Sequence, residues 1–279
     1  MLIALIGSNG QLGSDLQCVL QGEVTCLTHQ DIEITSAESI DHTLRAIDPD
    51  VVINTAAYNQ VDQAEDDPDA AFRINAMGPR FLAKWCQQHR AKLVHFSTDY
   101  VFGQDVERRD PFREGDLPGP VSSYGLSKLA GEHFVRMECA NSLIIRTCGL
   151  YGQVAHGKGN FVQTMLRLGR ERNELNVVND QTCTPTATAD LALATSKLLE
   201  SKQTGLFHAT NSGQTTWCEF AEEIFRIAEL NVKVTPITSG EFGAKARRPV
   251  YSVLSCARLE AASGWQMPAW KDALAAYLT

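Results

Sequence analysis

Short apolar runs alternate with stretches of helical periodicity along the first half of this 279-residue chain. The apolar runs predict strands at 2–6, 23–27, 51–54, 92–97 and 142–147. The periodic stretches predict helices at 11–20, 36–47, 69–89 and 124–139. Strands that alternate with helices are typical of a parallel sheet covered on both faces. The pattern therefore predicts an α/β fold, Rossmann-like, with a doubly wound parallel sheet.

The pattern changes after Gly149. Residues 150–160 are rich in glycine and include His156, which suggests a flexible loop near a substrate. Beyond it we expect helices at 161–172, 187–200 and 217–229 and short strands near 175–178, 205–210 and 232–236. The segment 103–123 contains prolines and glycines and predicts an irregular loop over the active site.

A glycine-rich turn follows the first predicted strand. Gly7 would permit a tight turn, Gly10 would let backbone N–H groups approach a pyrophosphate, and Gly13 would allow close packing of the next helix. The N-terminus of that helix would place partial positive charge near the phosphates. An ordinary strand–helix turn is the alternative, but the strand–turn–helix context favours a dinucleotide site.

Tyr124 and Lys128 are four residues apart in a predicted helix, so their side chains lie on one face, one turn apart. A neighbouring ammonium favours the phenolate, and we therefore expect Lys128 to lower the pKa of Tyr124. Such a tyrosine could pass a proton to or from a substrate oxygen. The spacing alone is weak evidence, because it occurs by chance in many chains.

Ser97 and Thr98 end a predicted strand, at the edge of a parallel sheet where ligands bind. Thr98 could hydrogen-bond a substrate carbonyl, although a strand-terminal cap would use the same residue types. For Asp99, a capping role and a substrate contact remain equally open.

The composition is ordinary for a globular protein, with 44% hydrophobic and 21% charged residues. The net charge of -8 argues against a nucleic-acid partner. No apolar run approaches the roughly 20 residues of a membrane span. The eight cysteines are scattered without a Cys-x-x-Cys pair, which argues against a zinc site and favours free thiols in a cytoplasmic protein.

These features, in this order, resemble the extended short-chain dehydrogenase/reductase family, and within it the dTDP-4-dehydrorhamnose reductase group. Matching phrases cover nearly the whole chain. They include Gly10-Gln11-Leu12-Gly13, Asn54-Thr55-Ala56-Ala57-Tyr58, Ser97-Thr98-Asp99-Tyr100-Val101-Phe102, Tyr124-Gly125 with Ser127-Lys128, Asn179-Asp180-Gln181, Thr215-Thr216-Trp217 and Arg248-Pro249.

The resemblance implies NADPH-dependent reduction of the 4-keto group of a nucleotide-linked 4-keto-6-deoxy sugar, with dTDP-4-dehydro-L-rhamnose as the expected substrate. It implies a catalytic set of Thr98, Tyr124 and Lys128. The implied cofactor-binding residues are Gly7, Asn9, Gly10, Gln11, Leu12, Gly13, Asp31, Ile32, Ala56, Ala57, Tyr58, Asn75, Ser97, Tyr124 and Lys128. The implied substrate-binding residues are Val61, Asp62, Thr98, Asp99, Tyr100, Val101, Phe102, Asn160, Gln181 and Arg248.

The resemblance also implies two domains and a possible homodimer. Residues 1–149 with roughly 187–204 would form the NAD(P)-binding domain. Roughly 150–186 and 205–279 would form a smaller α/β substrate-binding domain. Arg248 suits the nucleotide diphosphate because its guanidinium offers a fork of donors, although a solvated surface arginine is the alternative.

The preference for NADPH rests on the end of the second predicted strand. In NAD-preferring sites an acidic residue there holds the ribose 2′-OH. Asp31 stands slightly late for this role, and the arginine often found nearby in the group is replaced in its region by His29, which suits a surface position better than a phosphate contact. NADH use remains open.

Several positions depart from the group's pattern. Cys148-Gly149 stands where the group often has Ser-Trp, with that tryptophan against the sugar, and Cys183 stands where glycine is usual. Tyr100 follows Asp99, so the chain lacks the Asp-Glu pair by which related dehydratases eliminate water. Asp15 could match one acidic residue of a magnesium-linked contact, but Ala189 or a neighbour replaces another, and we expect no metal.

His208 also matches a phrase of the group, but we expect a hydrogen-bonded core histidine. Two alternatives to the expected reductase remain open. One is a non-catalytic NADP-binding subunit resembling the regulatory subunit of methionine adenosyltransferase. The other is a reductase of a different nucleotide-linked keto sugar.

Overall fold

The computed structural model describes residues 1–153 and 159–279. His156 and the middle of the predicted glycine-rich loop, residues 154–158, lie outside the described residues. Among the described residues, no helix combines the length and the apolar character needed to cross a membrane.

A six-stranded parallel sheet forms the centre of the molecule. Its spatial order is β10-β5-β4-β3-β1-β2. The strands of the described chain are β1 Leu2–Ile6, β2 Glu23–Leu27, β3 Val51–Asn54, β4 Lys92–Thr98, β5 Ser142–Thr147, β6 Leu150–Tyr151, β7 Glu174–Val178, β8 Thr182–Cys183, β9 Thr186–Ala187, β10 Gly205–His208, β11 Thr215–Thr216 and β12 Lys233–Ile237. The predicted parallel sheet is therefore confirmed.

Helices cover both faces of this sheet, as the doubly wound prediction requires. They are α1 Gln11–Val19, α2 Ala37–Ile47, α3 Pro68–Phe72, α4 Gly78–His89, α5 Ser123–Glu138, α6 Phe161–Glu171, α7 Thr188–Glu200, α8 Trp217–Ile227, α9 Ser239–Phe242, α10 Ala257–Ser263 and α11 Trp270–Leu278. Alternate residues of β1 point to opposite faces. Leu5 packs with α1 and α7 on one face, and Ile6 packs with α2, α4 and α5 on the other.

The helix predicted at 69–89 is interrupted. A π-helical turn at Arg73–Met77 separates α3 from α4. Pro79 has no backbone N–H and cannot donate to the carbonyl of Asn75, so a regular α-helix cannot run through this point. Short π-helical turns of this kind often occur at functional sites. Here the turn contains Asn75, one of the predicted site residues.

Three two-stranded ladders form a second region beside the large sheet. They pair β6 with β9, β7 with β12 and β8 with β11. Helices α6, α8 and α11 pack around a shared apolar core that includes Val162, Phe220 and Leu274. This arrangement gives the molecule a smaller α/β region next to the sheet.

One segment differs from the predicted division of the chain. We expected residues 205–279 in the smaller domain, but β10 pairs with β5 and extends the six-stranded sheet. Phe207 and Leu259 of α10 lie in the same core as β1 and α7. Apolar side chains on both faces of β10 explain this placement, because Phe207 and Leu206 are buried in the two cores that flank the large sheet. The division into two domains otherwise stays a prediction.

The segment 103–123 is irregular, as predicted, but its described residues do not line the main cleft. Phe112 instead stacks on Phe102 with ring centroids 4.0 Å apart and bridges to Leu254. The expectation of a loop over the active site is therefore corrected. Its apolar side chains pack against the C-terminal part of the chain instead.

Candidate active site

A cleft of about 850 Å³ opens at the carboxyl ends of β3, β4 and β5, beside the turn after β1. Its walls come from both the large sheet and the smaller region. The predicted residues that line it are Gly10, Gln11, Leu12, Gly13, Ala56, Ala57, Val61, Asp62, Ser97, Thr98, Asp99, Tyr100, Tyr124, Lys128 and Asn160. The sheet thus brings together most of the predicted catalytic and cofactor residues.

The glycine turn between β1 and α1 has the close approaches that the sequence predicted. Gly7 has φ +78°, and a Cβ there would lie 2.6 Å from the Thr55 Oγ1. A Cβ on Gly13 would lie 2.4 Å from the Gly7 carbonyl oxygen. No side chain caps the first turn of α1, whose N-cap is Gly10. The first-turn N–H groups therefore remain available to an anionic group at the cleft.

The residues that were expected to set the cofactor preference lie just after the end of β2. Asp31 accepts hydrogen bonds from the Thr28 backbone N–H and hydroxyl, both at 2.7 Å, and these lower the pKa of its carboxyl. His29 is exposed and lies 3.6 Å from Glu33. Ile32 is buried in the core, and Asn9 is exposed beside the turn. None of these four side chains lines the cleft.

Tyr124 and Lys128 lie on α5, which begins where Ser122 accepts a hydrogen bond from the Gly125 N–H at 3.1 Å. Both side chains are buried at the floor of the cleft. Lys128 donates a 2.6 Å hydrogen bond to the Phe96 carbonyl, and burial lowers its pKa to about 8. These contacts hold the ammonium in place beneath β4.

The expected lowering of the Tyr124 pKa is wrong for this structure. Burial raises the pKa of the phenol well above its usual value, and this effect outweighs the opposing hydrogen bond with Thr98. The physical reason is desolvation, which disfavours the charged phenolate in this buried position. Tyr124 is therefore protonated near neutral pH, which is the state that a proton donor needs.

Thr98 and Asp99 form a short hydrogen-bonded chain at the end of β4. The Thr98 hydroxyl donates to Asp99 Oδ1 at 3.1 Å, and Ser252 donates to Asp99 Oδ2 at 2.6 Å. Burial raises the pKa of Asp99, although these hydrogen bonds oppose the shift. Asp99 lines the cleft and also fixes the hydroxyl of its neighbour. No sequence motif indicated Ser252, which lies far along the chain from Asp99.

Ser97 lines the cleft, and its cofactor role stays a prediction. Its hydroxyl donates to Glu132 at 2.5 Å, and Glu132 also pairs with Arg146 through two hydrogen bonds of 2.8 and 2.7 Å. His208 lies 3.4 Å from Arg146, and burial together with that cation lowers the pKa of His208 to about 3. Ser97 therefore contributes to a buried network beneath the cleft. His208 has the core position that we expected.

Asn75 and Tyr58 support the cleft without lining it. The Asn75 side chain accepts from the Tyr58 N–H at 2.8 Å and donates to the Tyr58 carbonyl at 3.0 Å. It also donates to Ser127 on α5 at 3.0 Å. These contacts hold the segment with Ala56 and Ala57 against the helix that carries Tyr124.

The rim of the cleft contains the Asp62–Arg248 pair. Arg248 donates to Asp62 Oδ2 at 2.8 Å, and the Ala246 N–H donates to Oδ1 at 2.9 Å. Burial acts to raise the pKa of Asp62, but these hydrogen bonds outweigh it and the pKa is lowered. A second contact, between Lys245 and Asp66, lies beside this pair. Arg248 itself does not line the cleft.

The remaining predicted substrate residues divide into two groups. Asn160 lines the cleft and donates to Gln11 at 2.9 Å, which links the smaller region to α1. Val101 and Phe102 lie in an apolar cluster, and Gln181 donates to Ser239 at 2.7 Å. The structure does not bring these last three side chains to the cleft.

Asp15 accepts a hydrogen bond from Thr188 at 2.5 Å. Within residues 1–153 and 159–279, no group of three or more His, Cys, Asp or Glu side chains is arranged to hold a metal ion. The expectation that the protein needs no metal stays a prediction.

Sequence reasoning missed several residues that line the cleft. They are Asn54, Thr55, Asn59, Gln60, Gln63, Phe96, Thr147, Cys148, Gly149, Leu150, Gly159 and Trp217. Many of them directly follow β3 or β5, so the rule that ligands bind at the carboxyl ends of strands could have found them. Trp217 belongs to the matching phrase Thr215-Thr216-Trp217, but no strand-end rule indicates that this residue at the start of α8 reaches the cleft.

A doubly wound sheet, a glycine turn and a buried Thr-Tyr-Lys set at the strand ends together define the short-chain dehydrogenase/reductase class that the sequence resembles. The model of the family described as RmlD substrate binding domain matches residues 1–279. The chain therefore belongs to that family.

Individual relatives agree with this assignment. The spore coat polysaccharide biosynthesis protein SpsK of Bacillus subtilis is 40% identical over 279 residues, which cover 99% of this chain and 96% of that protein. The crystal structure of a dTDP-4-dehydrorhamnose reductase from Clostridium acetobutylicum matches with a TM-score of 0.95 and 43% identity, over 100% of this chain and 98% of that one. The dTDP-4-dehydrorhamnose reductase of Bacillus anthracis, in complex with NADP, matches with a TM-score of 0.94 and 40% identity, over 99% and 98%.

Proposed function

We propose that this protein is an NADPH-dependent oxidoreductase that reduces the 4-keto group of a nucleotide-linked 4-keto-6-deoxy sugar. The substrate that the relatives favour is dTDP-4-dehydro-L-rhamnose, which would give dTDP-L-rhamnose. The observation that carries the proposal is the position of Tyr124. Its buried, protonated phenol lies beside Thr98 at the floor of a cleft that also contains the glycine turn.

The glycine turn fits a dinucleotide. The backbone around Gly7 and Gly13 leaves no room for a Cβ, and the first-turn N–H groups of α1 have no side-chain cap. These groups would hold the pyrophosphate, with Ala56 and Ala57 along the adjoining wall. When bound, a reduced nicotinamide supplies the hydride for the reaction. The Bacillus anthracis relative, which was crystallised with NADP, supports NADPH as the cofactor.

Tyr124 donates a proton to the oxygen that becomes the product hydroxyl. Thr98 would orient that carbonyl oxygen by turning its hydroxyl proton to the substrate, away from Asp99, to which it donates at 3.1 Å in this structure. As Tyr124 loses its proton, the Lys128 ammonium stabilises the phenolate that forms. The 2.6 Å hydrogen bond to the Phe96 carbonyl holds Lys128 in place for this role.

The test is NADPH oxidation with dTDP-4-dehydro-L-rhamnose, comparing wild type with Tyr124→Phe. Loss of the proton donor should lower kcat by about 10²- to 10⁴-fold, while the variant still binds NADPH. Tyr151→Phe is a matched control, because it removes the hydroxyl of another buried tyrosine that does not line the cleft.

Equal turnover by Tyr124→Phe and wild type would contradict the proton-donor role. Tight NADPH binding by a wild-type protein that turns over no keto sugar would favour a regulatory binding subunit. Turnover of another nucleotide-linked keto sugar alone would keep the reductase proposal and replace the substrate.

A further inference from the structure

Trp217 is an aromatic side chain in the wall of the cleft that comes from the smaller region. Its indole is partly exposed and lines the same cleft as Thr98 and Tyr124. The indole Cη2 lies only 3.0 Å from the point that a Cβ on Gly149 would occupy. Gly149 has φ +51°, where side chains are disfavoured. The missing side chain at 149 thus leaves space that the indole uses.

The indole is held in a defined position. Thr216 and Glu219 form a capping box at the start of α8, and the Thr216 hydroxyl donates to Asn179 at 2.7 Å. Phe161 packs against the ring with centroids 4.8 Å apart. A ring fixed by its backbone and by a neighbouring aromatic loses little freedom when a ligand contacts it.

The position of the indole relative to the reacting groups follows from the sheet. Thr147 pairs with Thr98 in the β4–β5 register, so Cys148 and Gly149 leave the sheet edge beside the catalytic threonine. Leu150 follows and also lines the cleft. Trp217, in contact with Gly149, therefore lies on the wall next to the place where the sugar carbonyl would react.

We propose that Trp217 is the sugar-binding wall of this cleft and that it sets the affinity for the sugar part of the substrate. This inference rests on the proposed function. A 6-deoxy sugar presents C–H groups and a methyl group, which suit an indole face, and Leu150 extends the apolar surface. The nucleotide lies outside this contact, so Trp217 should distinguish a nucleotide sugar from the bare nucleotide.

The test compares two ligands that differ only in the sugar. Binding of dTDP and of dTDP-L-rhamnose to the NADP-loaded protein is measured by calorimetry for wild type, Trp217→Ala and Trp217→Phe. Trp217→Ala should weaken the binding of dTDP-L-rhamnose by about tenfold or more, which is the usual effect of losing an apolar contact in a pocket. Binding of dTDP should stay unchanged, and Trp217→Phe should restore only part of the lost affinity.

Steady-state kinetics give an independent readout. With dTDP-4-dehydro-L-rhamnose, Trp217→Ala should raise KM more than it lowers kcat, and KM for NADPH should stay at the wild-type value. Thermal unfolding of both variants shows whether the fold is kept. If Trp217→Ala does not fold, the comparison of Trp217→Phe with wild type on the two ligands decides the proposal, with a several-fold loss expected for the sugar ligand alone.

Three results would overturn the inference. If the variants bound dTDP and dTDP-L-rhamnose with equally weakened affinity, the indole would contact the nucleotide or the substitution would distort the cleft as a whole. Unchanged binding of dTDP-L-rhamnose would show that the sugar does not contact the indole. In both cases wild-type turnover would leave the proposed function intact. A wild-type protein that neither binds dTDP-L-rhamnose nor reduces the keto sugar would overturn the inference together with the proposed function.

Discussion

Two ion pairs in this protein have nearly the same geometry and opposite surroundings. Glu132 and Arg146 lie beneath the proposed catalytic residues, 2.7 Å apart, with both side chains 2% exposed. Asp62 and Arg248 lie at the rim of the cleft, 2.8 Å apart, with side chains 47% and 17% exposed. The distances alone would predict equal contributions of the two pairs to stability. The difference in solvent exposure predicts unequal contributions.

Access to solvent determines how much stability is lost when one partner of an ion pair is removed. Removing one partner of a buried pair leaves a bare charge in a low-dielectric interior, whereas water replaces a lost partner at the surface. The buried pair also holds the Ser97 hydroxyl in place. The rim pair is partly open to water, and a contact of Arg248 with the phosphates of a substrate stays a prediction.

The largest expected effect is on the buried pair. Glu132→Gln should lower the free energy of unfolding by about 3–5 kcal/mol, because it leaves the Arg146 guanidinium without a counter-charge. Urea unfolding measures this change. The double variant Glu132→Gln/Arg146→Met removes both charges and should be less destabilised than Glu132→Gln alone. A loss below about 1 kcal/mol for the single variant would contradict the comparison.

The next effect concerns Lys128, a buried cation whose carboxylate neighbour Glu132 only partly offsets desolvation. Its pKa is about 8 in the folded protein against 10.5 ordinarily, so the unfolded state holds more protons between these values and stability rises with pH. The difference in unfolding free energy between wild type and Lys128→Met should therefore shift by roughly 3 kcal/mol in favour of wild type as the pH rises through that window. If the unfolding free energies of the two proteins changed with pH in parallel, Lys128 would not have the lowered pKa that desolvation predicts.

The smallest expected effect is at the rim. Asp62→Asn should lower the free energy of unfolding by only about 0.2–1 kcal/mol, since Arg248 remains accessible to water and still donates to the Ala246 carbonyl at 3.0 Å. The same urea unfolding assay compares it directly with Glu132→Gln. If Asp62→Asn and Glu132→Gln lowered the free energy of unfolding equally, solvent exposure would not determine how much stability an ion pair contributes.

The sequence by itself determined the local parts of the site. The apolar run of β1, the spacing of Gly7 and Gly13, and the helical period that puts Tyr124 and Lys128 on one face all depend on residues close together in the chain. Short-range sterics and side-chain periodicity govern such features. For that reason the strands of the first half and the glycine turn were predicted with nearly the bounds that the structure shows.

The tertiary structure decided the direction of the Tyr124 pKa shift, the placement of β10, and the partners Ser252 and Trp217. Each depends on segments that are far apart in the chain, and no local pattern records which of them will meet. Desolvation in particular is a property of everything packed around a group. A sequence spacing can place a lysine beside a tyrosine, but only the packed fold determines how much water both of them lose.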